Sequence, residues 1–492
     1  MILRCIGHRF QYEMENVCRI FFPYDRMTAE DDGSGCAVDT IREETAAAAT
    51  LTVRVQLPNA PLETRTAAVP RSAPDYDGDC ERQLAVLLYD IFTKACNFTP
   101  KWGILTGVRP IKLMRRLIAE HGEAGARRYF ADRLLVTPEK IDLSVRTAYA
   151  EQAIVSSSRP ESFSLYISVP FCPTRCAYCS FVSQSIQKSA KLLPEYVDRL
   201  CDEIAETGRV AQALGLRLET IYYGGGTPTT FSAAQLTRVM QAVAQAFDLS
   251  AVREYTVEAG RPDTITRDKL CALRDGGVTR ISINPQTMND AVLARIGRRH
   301  TAQQTLDAFA LARAVGMNNI NMDTIAGLPG DTPESFADTM RQLTALQPES
   351  ITVHTLAIKH AAYLNHEEGL SLAREAAGVD QMVRFSQEHL SAQGYAPYYL
   401  YRQSKMLGNL ENVGWTKPGA ACLYNVFIME ETHTILACGA GATTKLRNPY
   451  GDQIERIFNY KFPYEYNGRF AEMLNRKQKI RDFYAQIPEF HR

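Results

Sequence analysis

At 492 residues the chain is longer than one ordinary hydrophobic core organises, so two or three domains are expected. Apolar residues make up 45% and charged residues 22%, an ordinary globular balance, and no apolar run approaches the length of a membrane-spanning helix. Lys plus Arg and Asp plus Glu both number 55, so no global field draws the chain to nucleic acid or to an anionic membrane.

The first twenty residues alternate polar and apolar and lack the apolar stretch of a signal peptide. A cytoplasmic protein with reduced cysteines is therefore expected. Val17–Phe22 and Leu51–Leu57 read as strands, with a Gly/Asp turn at Asp31–Gly35 between them. Between Cys80 and Cys96, the residues Leu84, Val86, Leu87, Leu88, Ile91 and Phe92 fall at helical spacing. Arg109, Lys112, Arg115 and Arg116 then crowd together, but no aromatic residues interleave them. The solvated side of an amphipathic helix explains them better than a nucleic-acid or partner-binding face. A helical pattern over Arg127–Ile154 and a polar linker at Ser156–Ser162 close an N-terminal α+β domain, residues 1–160, with no catalytic motif.

From 161 to 365 the chain keeps one rhythm, short strand then helix. Strands are expected at Leu165–Val169, Thr220–Tyr223, Glu254–Glu258, Arg280–Ile283, Asn319–Ile325 and Ile351–Leu356, with helical patterns filling the gaps. Six such alternations predict an α/β fold, a parallel sheet with right-handed crossovers curled into a partial (β/α)6, TIM-like barrel. Active sites of such barrels collect on the loops leaving the C-terminal ends of the strands.

The loop leaving the first of these strands holds Cys172, Cys176 and Cys179 among prolines and small residues. Three thiolates from one loop suit a [4Fe–4S] cluster, each holding one iron and leaving the fourth iron open. A structural zinc site would want a fourth ligand, and no second CxxC follows; a disulfide cannot use three cysteines. The bland alternative is three unrelated core thiols. None of the other nine cysteines repeats a ligand spacing, so one cluster is expected. An open iron is what S-adenosylmethionine (SAM) chelates through its amino and carboxylate groups, and one electron then releases a 5′-deoxyadenosyl radical. After the second strand, Gly224-Gly225-Gly226-Thr227 offers backbone N–H groups to a carboxylate, or is simply a turn. Glu258 ends the third strand, and Asp323 sits in an otherwise apolar fifth strand, where a carboxylate is costly unless paired or used.

This order of motifs resembles the radical SAM superfamily. Within it, residues 161–492 resemble the oxygen-independent coproporphyrinogen III oxidase family, most closely its HemZ-type branch. The resemblance implies Cys172, Cys176 and Cys179 as cluster ligands. It implies Tyr166, Tyr178, Gly225, Gly226, Thr227, Glu258, Gln286, Arg298, Asp323 and Ala357 as contacts to one or two SAM molecules, with Gln286, Arg298 and Asp323 serving the second. It further implies a tetrapyrrole substrate, an electron donor such as flavodoxin or ferredoxin, and an unidentified electron acceptor. The implied reaction turns two propionates of coproporphyrinogen III into vinyl groups with loss of carbon dioxide, giving protoporphyrinogen IX. Arg261, Arg299 and Lys359 lie near strand exits as candidate partners of the tetra-anionic substrate. In residues 366–492, Asn412–Gly419 and Leu436–Ala442 resemble the family's C-terminal α/β extension over the barrel mouth. Phe181 stands where the best-known branch carries a further cysteine. That exchange also occurs in haem-carrying relatives, so a haem-trafficking protein and another radical SAM tetrapyrrole-modifying enzyme stay open as alternatives.

Overall fold

A computed structural model describes residues 1–30, 35–179, 183–357 and 372–491. Its first strands, β1 (Ile2–Ile6), β2 (Ala37–Glu44), β3 (Ala48–Gln56) and β4 (Glu63–Pro70), form one sheet in that order. β1 and β2 are parallel and the remaining pairs antiparallel. In β3 the side chains of Ala49, Leu51, Val53 and Val55 alternate with polar ones and are all buried on one face. Val17–Phe22, expected as a strand, instead belongs to the helix Gln11–Phe21. The reason is period: Met14, Val17, Cys18 and Phe21 are buried at steps of three and four, one stripe of a helix. The helical pattern expected over Arg127–Ile154 breaks at a single π-turn, Tyr129–Arg133, and resumes as Pro138–Val155. Gly35 of the expected turn is left-handed; Asp31–Ser34 lie outside the described residues.

Two compact units divide the chain. The first takes Met1–Val145, the segment ending at Asp380, and Tyr401–Glu411; the second takes the stretch from Arg146, then Gln381–Leu400 and Asn412–Arg492. The expected boundary at 160 was drawn from the serine-rich linker, whereas the first unit ends within the helix Pro138–Val155.

The second unit contains β5 (Ser162–Val169), the two-residue strands β6 (Phe171–Cys172) and β7 (Gln184–Ser185), β8 (Arg217–Gly225), β9 (Glu254–Glu258), β10 (Arg280–Ser282), β11 (Ile320–Ala326) and β12 (Ser350–Thr355). β5 and β8 to β12 are successive parallel neighbours, the six strands expected from the rhythm of the sequence. The connecting helices start at side-chain caps, with capping boxes at Ser232 and Thr301 and capping threonines at Thr266 and Thr332.

The parallel strands have two unlike faces. Leu165, Ile167, Ile221, Tyr223, Tyr255, Val257, Ile281, Met322, Ile351 and Val353 are buried on one. Helix Pro333–Ala345 packs there, where Met340 meets Thr324. Each fully buried aliphatic stabilises by roughly 1.5–3 kcal/mol, so this face holds the sheet to its helices. The other face carries Ser164, Tyr166, Tyr222, Thr256, Glu258, Arg280, Ser282, Asn321, Asp323, Thr352 and His354. Parallel strands are ordinarily apolar on both faces. A polar face here must find partners or a ligand.

The remaining strands are β13 (Ala396–Tyr401), β14 (Asn412–Thr416), β15 (Thr434–Cys438), β16 (Thr443–Arg447) and β17 (Ile454–Phe458). They extend the same sheet at both edges, in the order β13-β14-β12-β11-β10-β9-β8-β5-β15-β16-β17. β14 runs antiparallel to β12, and β15 runs parallel to β5. The expected C-terminal extension is thus woven into the barrel sheet, which remains open.

Candidate active site

Backbone geometry fixes the cysteine loop on the C-terminal ends of β5 and β8. β6 pairs with β7 and closes the base of the loop. The amides of Gly226 and Thr227 donate to Val169 O and Phe171 O, both at 2.8 Å. A Cβ on Gly226 would sit 2.6 Å from Phe171 O and 2.8 Å from Val169 O, so glycine is required there by the approach of the cysteine loop itself. Thr227 Oγ1 reaches Cys172 Sγ at 3.5 Å. Burial pushes the Cys172 thiol up, against hydrogen bonds from Thr227 and Ser183. On its other flank the loop is tied to the exit of β10: Ala177 N donates to Ile296 O at 3.0 Å and Thr174 Oγ1 to Gly297 O at 3.2 Å.

Two buried arginines face this loop. Arg261 holds Asp263 in a fork, 2.9 Å on each arm, while its Nη1 lies 3.1 Å from Thr174 Oγ1 and 3.9 Å from Cys176 Sγ. Its charge is already paired, which leaves it a poor grip for a substrate propionate. Arg299 is exposed, and Lys359 lies outside the described residues, as does Phe181. Arg298 donates through Nη1 to Asn284 O and contacts Tyr178 and Cys176, while its buried Nε has no partner.

Gln286 carries a second orphan. Its backbone is left-handed, φ 71°, pinned by Gln286 N to Asp323 O at 2.9 Å and Ile325 N to Gln286 O at 3.0 Å, and its buried Oε1 is unpartnered. A non-glycine residue in that region costs on the order of 1–3 kcal/mol, and an unpaired buried acceptor about as much again. A donor placed against Oε1 would offset the second of these costs.

Glu258 and Asp323 titrate in opposite directions. Burial, with Asp323 nearby, pushes Glu258 up to about 7, against the hydrogen bond it accepts from Tyr222 at 2.7 Å. Burial also works to raise Asp323, but His354, Asn321 and Thr352 outweigh it and hold the group below its usual value. Asn321 Nδ2 donates to Asp323 Oδ1 at 2.7 Å, and His354 Nε2 is 3.8 Å from Oδ2. Tyr166, Tyr222 and Tyr424 stack beside this pair, with centroids 4.4 Å apart for Tyr222–Tyr424 and 6.3 Å for Tyr166–Tyr222. A Cβ on Gly224 would lie 3.2 Å from Glu258 Oε1 and 3.3 Å from the Tyr166 ring, so that glycine opens the space in front of the carboxylate. Ala357 follows β12 and is half-buried.

Tyr222, Asn321 and His354 were not among the expected site residues. Strand alternation could have found them, since each shares a face with Tyr166, Glu258 or Asp323. Tyr424 has no such signal, because it arrives from the helix Leu423–Glu430, whose first amides are received by Glu254.

Residues 166–343 match the family model for the radical SAM superfamily. Over 387 residues, 78% of this chain and 77% of the other, the chain is 40% identical to the oxygen-independent coproporphyrinogen-III oxidase-like protein HemZ of Bacillus subtilis. It belongs to that coproporphyrinogen-III oxidase-like family of radical SAM proteins. The heme chaperone HemW of Haemophilus influenzae is 32% identical over 62% of this chain and 75% of its own. Among solved structures, coproporphyrinogen III oxidase (HemN) from Escherichia coli aligns with a TM-score of 0.50 at 24% identity, covering 66% of this chain and 73% of that one, a likeness of fold.

The family's cofactors are a [4Fe–4S] cluster and SAM. The donor set fits them: one loop brings three cysteines, and around it stand an orphaned amide oxygen, an orphaned guanidinium N–H and two carboxyl groups held at different protonation levels. Among the described residues no three His, Cys, Asp or Glu side chains converge on a single ion. In a cubane each thiolate takes its own iron.

Proposed function

We propose that the chain carries out the oxygen-independent oxidative decarboxylation of coproporphyrinogen III, converting propionates to vinyl groups. The observation that carries this reading is the 40% identity to the HemZ relative across 78% of the chain, together with a polar barrel face that meets the cysteine loop. When bound, the cluster and SAM supply a 5′-deoxyadenosyl radical that abstracts hydrogen from carbon.

Every other task falls to the chain. Cys172, Cys176 and Cys179 hold three irons. Thr227 steadies Cys172, and Arg261 and Arg298 offset the charge of Cys176. Glu258, able to keep a proton near neutrality, and Asp323, held below its usual value beside His354, offer unlike partners to an ammonium and to ribose hydroxyls. Gln286 Oε1 and Arg298 Nε, buried without partners, would serve the cofactor as acceptor and donor. The substrate then loses a hydrogen atom, one electron and carbon dioxide per propionate, the electron leaving to an acceptor.

Anaerobically reconstituted protein, given SAM, a reductant and coproporphyrinogen III, should yield vinyl products and 5′-deoxyadenosine together. Deoxyadenosine without vinyl products would point to another tetrapyrrole reaction. A second reading, haem delivery, is favoured by Phe181 at the position of the extra cysteine and by the likeness to the heme chaperone. It predicts haem transfer to an apo-protein with neither product.

A further inference from the structure

The turn that leaves β9 places a buried cation against the cysteine loop. Pro262 keeps the residue before it extended, and Arg261 has φ −127° and ψ 110°. The 3₁₀ turn Pro262–Thr264 then brings Asp263 back onto the arginine two residues earlier. This turn is tied at several points. Thr264 N and Oγ1 donate to Arg261 O at 2.9 and 2.8 Å, and Lys269 Nζ donates to Thr264 O at 3.0 Å and to Thr229 O at 2.6 Å.

The two edges of the guanidinium do different work. Arg261 Nε and Nη2 donate to the two oxygens of Asp263, which occupies one edge. Nη1 lies on the opposite edge, and there it meets Thr174 Oγ1 at 3.1 Å and Cys176 Sγ at 3.9 Å. The Asp263 side chain is 21% exposed, whereas that of Arg261 is 4% exposed. The pair is therefore a dipole whose positive end points at a cluster ligand and whose negative end is both farther away and better solvated. Water screens the carboxylate more than the guanidinium, so the net field at the buried Cys176 is positive.

We propose that Arg261 is a positioning residue which, through Cys176, sets how readily the [4Fe–4S] cluster takes up its electron, with Asp263 as the counterweight. A cluster gains one negative charge when it accepts one electron from a reductant. Positive charge nearby and N–H groups aimed at its sulfurs favour that reduced form. The role depends on the cluster and is independent of which tetrapyrrole is the substrate.

The test is a dithionite redox titration of anaerobically reconstituted full-length protein without SAM or substrate, read by the electron paramagnetic resonance of the reduced cluster. Arg261→Gln removes the cation and leaves the Asp263 carboxylate behind. At the parent's midpoint its ratio of reduced to oxidised cluster should fall at least tenfold, ~59 mV for one electron. Asp263→Asn removes the anion and keeps the cation, so its ratio should rise. Damage to the cysteine loop would move both variants in the same direction, and opposed shifts exclude it. Iron bound per chain is measured alongside, and if Arg261→Gln does not hold a full cluster then Asp263→Asn decides alone. An unchanged midpoint in an iron-loaded variant, shifts of the same sign or shifts of reversed sign overturn the proposal.

Discussion

Gln286 and Glu258 each hold a conformation or a protonation state that folding alone does not favour. Replacing Gln286 by glycine frees the left-handed φ of 71° but also adds backbone freedom to the unfolded chain, two effects of about 1 kcal/mol that oppose each other. The backbone pairings to Asp323 and Ile325 survive, so the melting temperature of Gln286→Gly should stay within a few degrees of the parent. SAM affinity, measured by equilibrium dialysis on reconstituted protein, should fall tenfold or more; unchanged affinity would remove Gln286 from the binding set. Glu258 gives a prediction in pH. Its folded-state pKa, about 7, lies above the ordinary 4.5, so between those values the folded chain holds a proton that the unfolded chain has released. Stability contributed by this group is therefore present at low pH and lost as pH rises from about 4.5 to 7. Thermal melts of cluster-free protein should show that loss, and Glu258→Gln, a neutral mimic of the acid, should flatten the curve and melt higher at pH 8. A parent curve that rises over the same range would contradict the assignment.

Elements were legible where one force acts along the chain. The six parallel strands announced themselves because β-branched and aromatic residues recur with turns at regular intervals, and their order followed from right-handed crossovers. The cysteine loop and the glycine run could be placed at strand exits for the same reason. Val17–Phe22 was misread because a six-residue apolar window hides the period that Met14 and Cys18 reveal. The seating of the Gly224–Thr227 turn was also invisible: Gly226 lies too close to the Val169 and Phe171 backbone for any side chain, a demand that neighbouring protein makes apart from any ligand. Gly226→Ala should thus act through the cluster loop. A methyl group inside 3 Å of two carbonyl oxygens forces Val169–Phe171 outward, and the three cysteines move with them. Iron bound per chain after anaerobic reconstitution should drop by at least half, while SAM analogues that bind without the cluster lose less. Normal iron content would show that the loop absorbs the displacement.

At the scale of the whole molecule, sequence order and spatial order part. The chain leaves its first unit within the helix Pro138–Val155, yet Tyr401–Glu411 comes back to it from a distant part of the sequence. Nothing local in that stretch announces the return, because its partners are set by tertiary contacts. Arg402 lies over the Trp102 ring at 5.3 Å, and its amide donates to Val108 O at 2.8 Å. Glu411, fully buried, accepts from Trp102 Nε1 at 2.7 Å and from Lys140 Nζ at 2.6 Å. A charge so enclosed is tolerable only while its partner stays. Glu411→Gln leaves the Lys140 ammonium uncompensated and should cost about 3–5 kcal/mol in denaturant unfolding of the first unit. The paired change Glu411→Gln/Lys140→Met should recover most of that loss, since both charges leave together. By the same reasoning a fragment ending at residue 145 keeps Lys140 and Trp102 but lacks Glu411 and Arg402. It should emerge from size-exclusion chromatography as aggregate or unfolded chain, and a monodisperse, cooperatively melting 1–145 fragment would show that the returning segment is dispensable to the unit it completes.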